Sequence, residues 1–420
     1  MSSFPYYTEP THLTGQVTDT AATGYQRTTT TASTEERLIV DAVDKIFLLE
    51  PNKHPLVTLL TNVGKVFDGK AWKGAGLMKA ATGNPEFKWF EDVYGGRYAR
   101  VSGTVSAAAS QTVTVTGAGS SSGSIFTLGD VVKNARTGEC VTVGTVTTTT
   151  FVAVSRGFGS TAAATMADGD GLFIIGNVNE ENSGARNVNS TLTAPQSNYT
   201  QIFKTTIALS NTEKEANLYG GKDLPFQRAK KGTEHALDIE RAFWWGQKYA
   251  DTGLYGHPRR STGGIHEFMS AGNSYVQNQG GPLTAPDMNT FLREGFTYGN
   301  ETKVLFAGGI VLQAINEIAR GQIQTKPLDT TYGMKISNWV TAFGSINIVH
   351  NPMFVQDYAG YAFLLDLESF RYRFMNNRDT KLSTNIQAPD ADGEVDQYIT
   401  EAGLERKQAS KHALLLGVTS

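Results

Sequence analysis

Residues 103–176 constrain this chain more than any other stretch. Charged residues nearly vanish there, while Thr, Ser, Val, Ala and Gly dominate. Short alternating runs recur at 112–116, 129–133, 140–146, 151–154 and 172–175. Alternation with a period of two sends one set of side chains to a core and the other to solvent. Ser122-Gly123, Thr137-Gly138 and Asp168-Gly169 are turn signals between the runs. The pattern predicts a small all-β barrel or sandwich. Alternation returns at 201–209, as in a strand coming back from a longer excursion. The β module therefore reads as an insertion within that excursion.

Composition narrows the classes of function. The chain has 420 residues, 37 Lys+Arg and 40 Asp+Glu, for a formal net charge of −3. Charged residues are 18% of the chain, below the roughly 25% of an ordinary soluble protein. The balance excludes a strongly basic nucleic-acid binder. Cys140 is the single cysteine, which excludes an intrachain disulfide framework and a cysteine zinc cluster. No run approaches the roughly 18 apolar residues of a membrane span. The N-terminus shows no basic-then-apolar signal, so secretion by that route is not expected.

Along the chain, 1–34 reads as a polar arm carrying Phe4, Tyr6, Tyr7 and Tyr25. Aromatics on a polar arm suggest docking. A helix is expected after Thr34, with Leu38, Ile39, Ala42, Val43, Ile46 and Phe47 at helical spacing, followed by a short apolar helix over about 55–61. Between 65 and 102, glycines punctuate a segment holding Trp72, Phe87, Trp89, Phe90, Tyr94 and Tyr98. Aromatics alternate with charges there, which suits a long two-stranded excursion. A strong helix is expected over 225–247, with Asp223 as cap and Pro225 in its first turn. Its narrow face of Ala229, Ala236, Leu237, Glu240, Phe243 and Trp244 fits a spine lying on a sheet. From about 284 the pattern becomes mixed: helices at 286–298 and 309–320, and strands at 303–307, 336–341, 345–350, 359–366, 370–374, 396–402 and 413–417.

Catalytic signals are weak. Gly119-Ser120-Ser121-Ser122-Gly123 matches a nucleophile elbow by letter but lacks the helix that exposes the serine. His266-Glu267 resembles a zinc peptidase start, yet Ser270 stands where the second histidine belongs. Asp390, Asp392, Glu394 and Asp396 alternate through Gly393 but miss the calcium-loop spacing, and read as a solvated turn. His257-Pro258-Arg259-Arg260 is a basic spot better suited to a surface loop or subunit contact than to phosphate. Asn189, Asn198 and Asn300 sit in N-x-[ST] contexts. No catalytic, cofactor or metal residue is expected, and no enzyme. The unusual features are projecting parts, and identical subunits are the simplest partners to cover them.

Four ordered blocks carry a resemblance. The first runs from Lys214-Glu215-Ala216 to Trp244-Trp245-Gly246, followed by Ser261-Thr262-Gly263-Gly264-Ile265. The second is Gly344-Ser345-Ile346-Asn347-Ile348-Val349-His350-Asn351-Pro352-Met353-Phe354. The third is 361–367 with Arg371-Tyr372-Arg373, and the fourth is Thr400-Glu401-Ala402-Gly403-Leu404-Glu405 with Lys411-His412-Ala413-Leu414-Leu415-Leu416-Gly417. In this set the chain resembles tailed-phage major capsid proteins of the Hong Kong-97 (HK-97-like) fold, of the SU-ten type. The resemblance implies an α+β fold with an N-terminal arm at 1–64 and an extended E-loop at 65–210 carrying 103–176 as an inserted β module. It places a peripheral domain with the spine helix at 211–283 and 396–420, and an axial domain at 284–395. It implies self-assembly into hexamers and pentamers of an icosahedral shell around double-stranded DNA, with Trp72, Phe87, Trp89, Phe90, Tyr94, Arg241, Trp244 and Trp245 as interface candidates. Portal, scaffold and decoration proteins are the implied partners, with DNA contacted non-specifically and no membrane. The implied location is the virion, assembled in the host cytoplasm. Two other readings share the features: an encapsulin-like compartment shell, and a phage tail or adsorption protein binding carbohydrate through the β module.

Overall fold

The computed structural model describes residues 55–61, 79–108, 111–116, 125–187, 193–216, 223–322, 326–327 and 336–419. The aromatic arm, the helix expected after Thr34, Trp72, Asn189 and the 119–123 glycine-serine run lie outside the described residues.

The first described helix, α1 (Pro55–Thr61), is where the short apolar run predicts it. It is no part of a free arm. Leu56, Val57, Leu59 and Leu60 are buried in the same core as the spine helix. Four aliphatic side chains on one short helix need cover on more than one side, which only packing into the body supplies.

After β1 (Lys79–Thr82), β2 (Glu86–Glu91) runs outward and β9 (Ala194–Tyr199) returns beside it, antiparallel from Glu86↔Tyr199 to Glu91↔Ala194. Between them the chain forms β3 (Tyr98–Val101), β4 (Gln111–Thr116), β5 (Asp130–Asn134), β6 (Cys140–Val146), β7 (Thr150–Ser155) and β8 (Gly171–Asn177). These six strands close a barrel in the order β3-β4-β7-β6-β5-β8. Five of them fall on the predicted alternating runs. The sixth, β3, precedes the expected boundary, so the module begins at Tyr98 and not at 103. Tyr98 and Arg100 continue the aromatic-and-charge rhythm of the excursion, which hides the join.

The barrel core is small and aliphatic: Val113, Val115, Val132, Val141, Val143, Phe151, Ala153 and Leu172 are buried. Its sparse charges are mostly paired. Arg156 holds Glu139 through Nε–Oε1 at 2.6 Å and Nη2–Oε2 at 2.9 Å, with both side chains buried. Backbone groups complete the pair. The carbonyls of Ser106 and Ala164 accept from Arg156, and the amides of Gly157 and Ala164 donate to Glu139. A buried ion pair is tolerable only when its remaining donors and acceptors are satisfied in this way. Burial pushes the Glu139 carboxyl up, but the Arg156 bonds and the two amides outweigh it and hold it low.

The body follows. After β10 (Gln201–Leu209) come α2 (Asn211–Glu215) and the spine, α3 (Asp223–Trp245). Then come the hairpin β11 (Tyr249–Thr252) and β12 (Pro258–Ser261), α4 (Ile265–Ala271), β13 (Tyr275–Gly281), α5 (Ala285–Gly295), β14 (Thr302–Ala307) and α6 (Gly309–Gln322). The chain continues through β15 (Lys326–Pro327), β16 (Ile336–Val340), β17 (Ser345–His350), β18 (Ala362–Leu365), β19 (Phe370–Met375), β20 (Lys381–Ser383), β21 (Glu394–Arg406) and β22 (Ala413–Val418).

Two sheets organise this body. One has the order β1-β19-β21-β10 with β20 also on β21 and carries the spine helix. The other is seven-stranded, in the order β13-β22-β18-β14-β17-β16-β15, with α5 and α6 packed on its core. Strands cross between them, which corrects the linear domain boundaries. β13 falls in the expected peripheral segment yet pairs with β22 in the seven-stranded sheet. β22 belongs there too, while β19 and β20, expected in the axial segment, pair with β21 in the other. Alternation reveals that a segment is a strand but not which sheet takes it. The architecture is the α+β arrangement expected of the HK-97-like fold: a long helix on one sheet, a second sheet with its own helices, and a two-stranded excursion.

Candidate assembly surfaces

The β2–β9 excursion has two unlike faces, because successive side chains on a strand point to opposite sides. Phe87 and Trp89 face the body. Both are buried and their rings stack at 6.1 Å. Phe87 lies over Gly403, where an added Cβ would come within 2.9 Å of the ring. Trp89 Nε1 donates to Glu91 Oε1 at 2.8 Å, and the same oxygen accepts the Gln408 amide at 2.9 Å. Phe90 and Tyr94 face outward. Phe90 is 71% exposed, and Tyr94 is fully so. The alternation that suggested interface anchors therefore divides them: Phe87 and Trp89 fix the excursion to its own chain, and Phe90 and Tyr94 remain uncovered.

The spine helix corrects the candidates further. Trp244 is wholly buried against Phe306, Phe354 and Phe363, so it is core. Trp245 is half-buried, 4.1 Å from the ring of the more exposed Tyr358. Arg241 is exposed and pairs with Asp238 one turn away. A run of bulky residues at a helix end carries no mark of which neighbour is intramolecular.

Sequence reasoning missed two polar anchors. Glu240 is fully buried on the spine helix and accepts from three N–H groups: Leu56 N at 2.9 Å, Val57 N at 2.7 Å and Trp244 Nε1 at 3.0 Å. It ties α1 to the spine. Its position on an otherwise apolar stripe was the available signal. Burial raises its carboxyl to about 7, against the downward pull of those three donors. Asn198, visible only as part of an N-x-[ST] triplet, clamps the root of the excursion. Its Nδ2 donates to the carbonyls of Gly263 and Leu404, and its Oδ1 accepts the Gly263 amide.

The remaining motifs are structural in the same sense. Glu267 accepts the Lys248 amide and pairs with Arg406, while His266 sits among Trp245, Tyr361 and Phe363. In the acidic run, Asp390 and Asp392 are exposed, but Glu394 and Asp396 are buried partners of Arg228. The run is thus half turn and half anchor for the spine helix. Among the described residues no group of three His, Cys, Asp or Glu side chains is placed to hold a metal ion. Lys303 is buried and donates to the carbonyls of Gly295, Tyr298 and Lys411. It satisfies carbonyls at the end of α5, and burial lowers its pKa to about 8. His257-Pro258-Arg259-Arg260 belongs to the β11–β12 hairpin, where Arg259 pairs with Asp251. Leu254 and Tyr255 at its tip are almost completely exposed. Among the described residues no helix is long and apolar enough to cross a membrane.

Among the described residues, uncovered apolar side chains include Phe90 and Tyr94 on the excursion, Leu254 and Tyr255 at the hairpin tip, and Val154, Phe173 and Ile175 on the barrel wall. A curated major capsid protein of Pseudomonas phage PaMx41 is 26% identical over 273 residues, which is 61% of this chain and 64% of that protein. The chain thus matches just under two thirds of that relative's length. Among solved structures, the capsid asymmetric unit of cyanophage A-1(L) is similar at a TM-score of 0.47 and 11% identity, covering 92% of this chain and 98% of that one. The holo-SrpI encapsulin complex of Synechococcus elongatus PCC 7942 is similar at a TM-score of 0.40 and 11% identity, covering 55% and 78%. Residues 19–419 match the family described as SU10 major capsid protein, and the chain belongs to that family.

Proposed function

We propose that this chain is the structural subunit of a tailed-phage head, and that its copies form hexamers and pentamers closing an icosahedral shell around double-stranded DNA. Family membership over nearly the whole chain supports a structural role. The observation that carries the reading is the placement of four strongly exposed apolar side chains on projecting parts. Phe90 and Tyr94 stand on the excursion, and Leu254 and Tyr255 on the hairpin tip. Aromatic and aliphatic anchors presented on arms are what a partner must bury.

The proposed partners are other copies of the chain first, then portal, scaffold and decoration proteins. The packaged DNA is met without sequence preference. A net charge of −3 suits a container wall, because a strongly cationic lining would hold phosphates through many contacts. The proposed location is the virion, with assembly in the host cytoplasm. Nuclease treatment of purified particles tests the reading. Protected genome-length DNA is the expected result; particles that instead enclose a cargo enzyme would point to a compartment shell. Glycan binding by the chain with no particle formed would point to an adsorption protein.

A further inference from the structure

We propose that the outer wall of β3, β8 and β5 on the barrel docks on a second copy of this chain, at the acidic corner made by α2 and the 384–393 loop. This rests on the shell-forming reading above.

The wall is defined by register. Tyr98 pairs with Phe173 across β3 and β8, and Phe173 with Lys133 across β8 and β5. The three side chains make one row, with the Tyr98 and Phe173 rings 4.8 Å apart. Arg100, two residues beyond Tyr98, keeps its guanidinium 5.7 Å from the tyrosine ring. Ile175, two residues beyond Phe173, extends the same face. Phe173 is 45% exposed and Ile175 58%. The intervening Ala99, Leu172 and Ile174 fill the barrel, so the outer residues serve no interior packing. The β4 wall shows the ordinary solution, with Thr112, Thr114 and Thr116 exposed. An aromatic and an aliphatic beside two cations is a departure from it, of the kind that marks an interaction surface.

Charge selects the occupant. Arg136, Arg156 and Arg186 each pair with a carboxylate of the barrel. Among the described residues Arg100 and Lys133 have no such partner. The wall is positive in a chain whose net charge is −3. The opposite character occurs at one corner of the body. Glu213 and Glu215 on α2 and Asp390 and Asp392 in the loop are all exposed. Asn211 Nδ2 joins the two elements by donating to Asp392 Oδ1 at 2.6 Å. The cation between them, Lys214, is engaged by Glu394. Ile386, 46% exposed, adds an apolar contact to the same loop. A basic-apolar wall meeting an acidic-apolar corner joins two different patches. Such a head-to-tail contact propagates into rings and lattices and does not stop at a dimer.

A charge swap in the full-length chain tests this, read as the fraction sedimenting as shells at low ionic strength. Arg100→Glu with Lys133→Glu is expected to lower that fraction about tenfold, as is Glu215→Lys with Asp390→Lys, because like charges then face each other. The chain carrying all four changes is expected to recover to within about twofold of wild type. Far-UV circular dichroism and melting of each variant separate lost assembly from lost folding. Arg100→Gln with Lys133→Gln, which only removes charge, is expected to fall between. Shells from wild type that are indifferent to both reversals overturn the proposal and leave the shell-forming reading intact. So does a fourfold variant no better than the worse pair. Intact shells that lose protected DNA on reversing Arg100 and Lys133 would assign the wall to nucleic acid and also overturn it. Failure of wild type to form shells even with its scaffold protein present refutes the underlying reading first.

Discussion

Replacing Glu240 with Gln tests the link between α1 and the spine helix. One carboxylate oxygen accepts from Leu56 N and Trp244 Nε1, the other from Val57 N. Gln keeps the shape and one acceptor. Its amide nitrogen then faces either Val57 N or the other pair, leaving at least one buried donor without an acceptor. Such a loss costs about 1–3 kcal/mol. The cost depends on pH. The Glu240 carboxyl titrates at about 7 when buried, against 4.5 ordinarily. Between those values the docked state holds a proton that the undocked state has released, so docking weakens as pH rises. The window corresponds to roughly 3 kcal/mol for the wild type. Gln has no such term. The gap between wild type and Glu240→Gln should therefore be largest below about pH 4.5 and shrink by up to that amount as the pH rises through 7. Hydrogen exchange of the 55–61 amides, corrected for intrinsic rates, reads this locally. A gap that does not change with pH would refute the reasoning, as would equal protection of α1 in both proteins.

Other outcomes follow from burial. Trp89→Ala should lower stability by about 3–5 kcal/mol, as for a core aromatic. Tyr94→Ala should change stability by less than about 0.5 kcal/mol yet reduce shell formation; chemical denaturation and sedimentation separate the two, and equal losses would place Tyr94 in a core. Replacing residues 98–177 with a short Gly-Ser linker should leave the body folded, because β2 and β9 still pair from Glu86↔Tyr199 to Glu91↔Ala194; an insoluble product would refute the independence of the barrel. His412 is buried, with Nδ1 accepting the Asp366 amide and Nε2 left to donate to the Lys407 carbonyl. Burial, with Lys303 and Lys411 nearby, lowers its pKa to about 3 from 6.5. The unfolded chain binds the extra proton across that window, so this group costs stability as pH falls from 6.5 towards 3. Thermal melts of His412→Gln should show a weaker decline than wild type over that range.

Much of this was legible because periodicity is a local property. Five of the six barrel strands, the spine helix, α1, α5 and the β16–β17 pair follow from alternation, helical spacing and turn residues. What failed was partnership. β19 and β22 were recognisable as strands, whereas β13 and β20 were not read as strands at all, and in all four cases hydrogen bonds from distant segments decide the sheet. Phe87, Trp89 and Trp244 looked like anchors for a neighbour because an aromatic side chain needs burial and the sequence does not say by whom. Gly403 holds part of the answer, since its missing side chain is the seat for Phe87. Glu240 and Asn198 escaped for a related reason: a buried polar residue is recognised by the backbone groups it satisfies, and those lie far away in sequence.

Electron microscopy of the purified full-length chain tests the central claim most directly. Closed, uniform shells built from this subunit are the predicted result. A chain that stays folded and monodisperse across protein and salt concentration, with and without its scaffold protein, and forms no closed particle would contradict it.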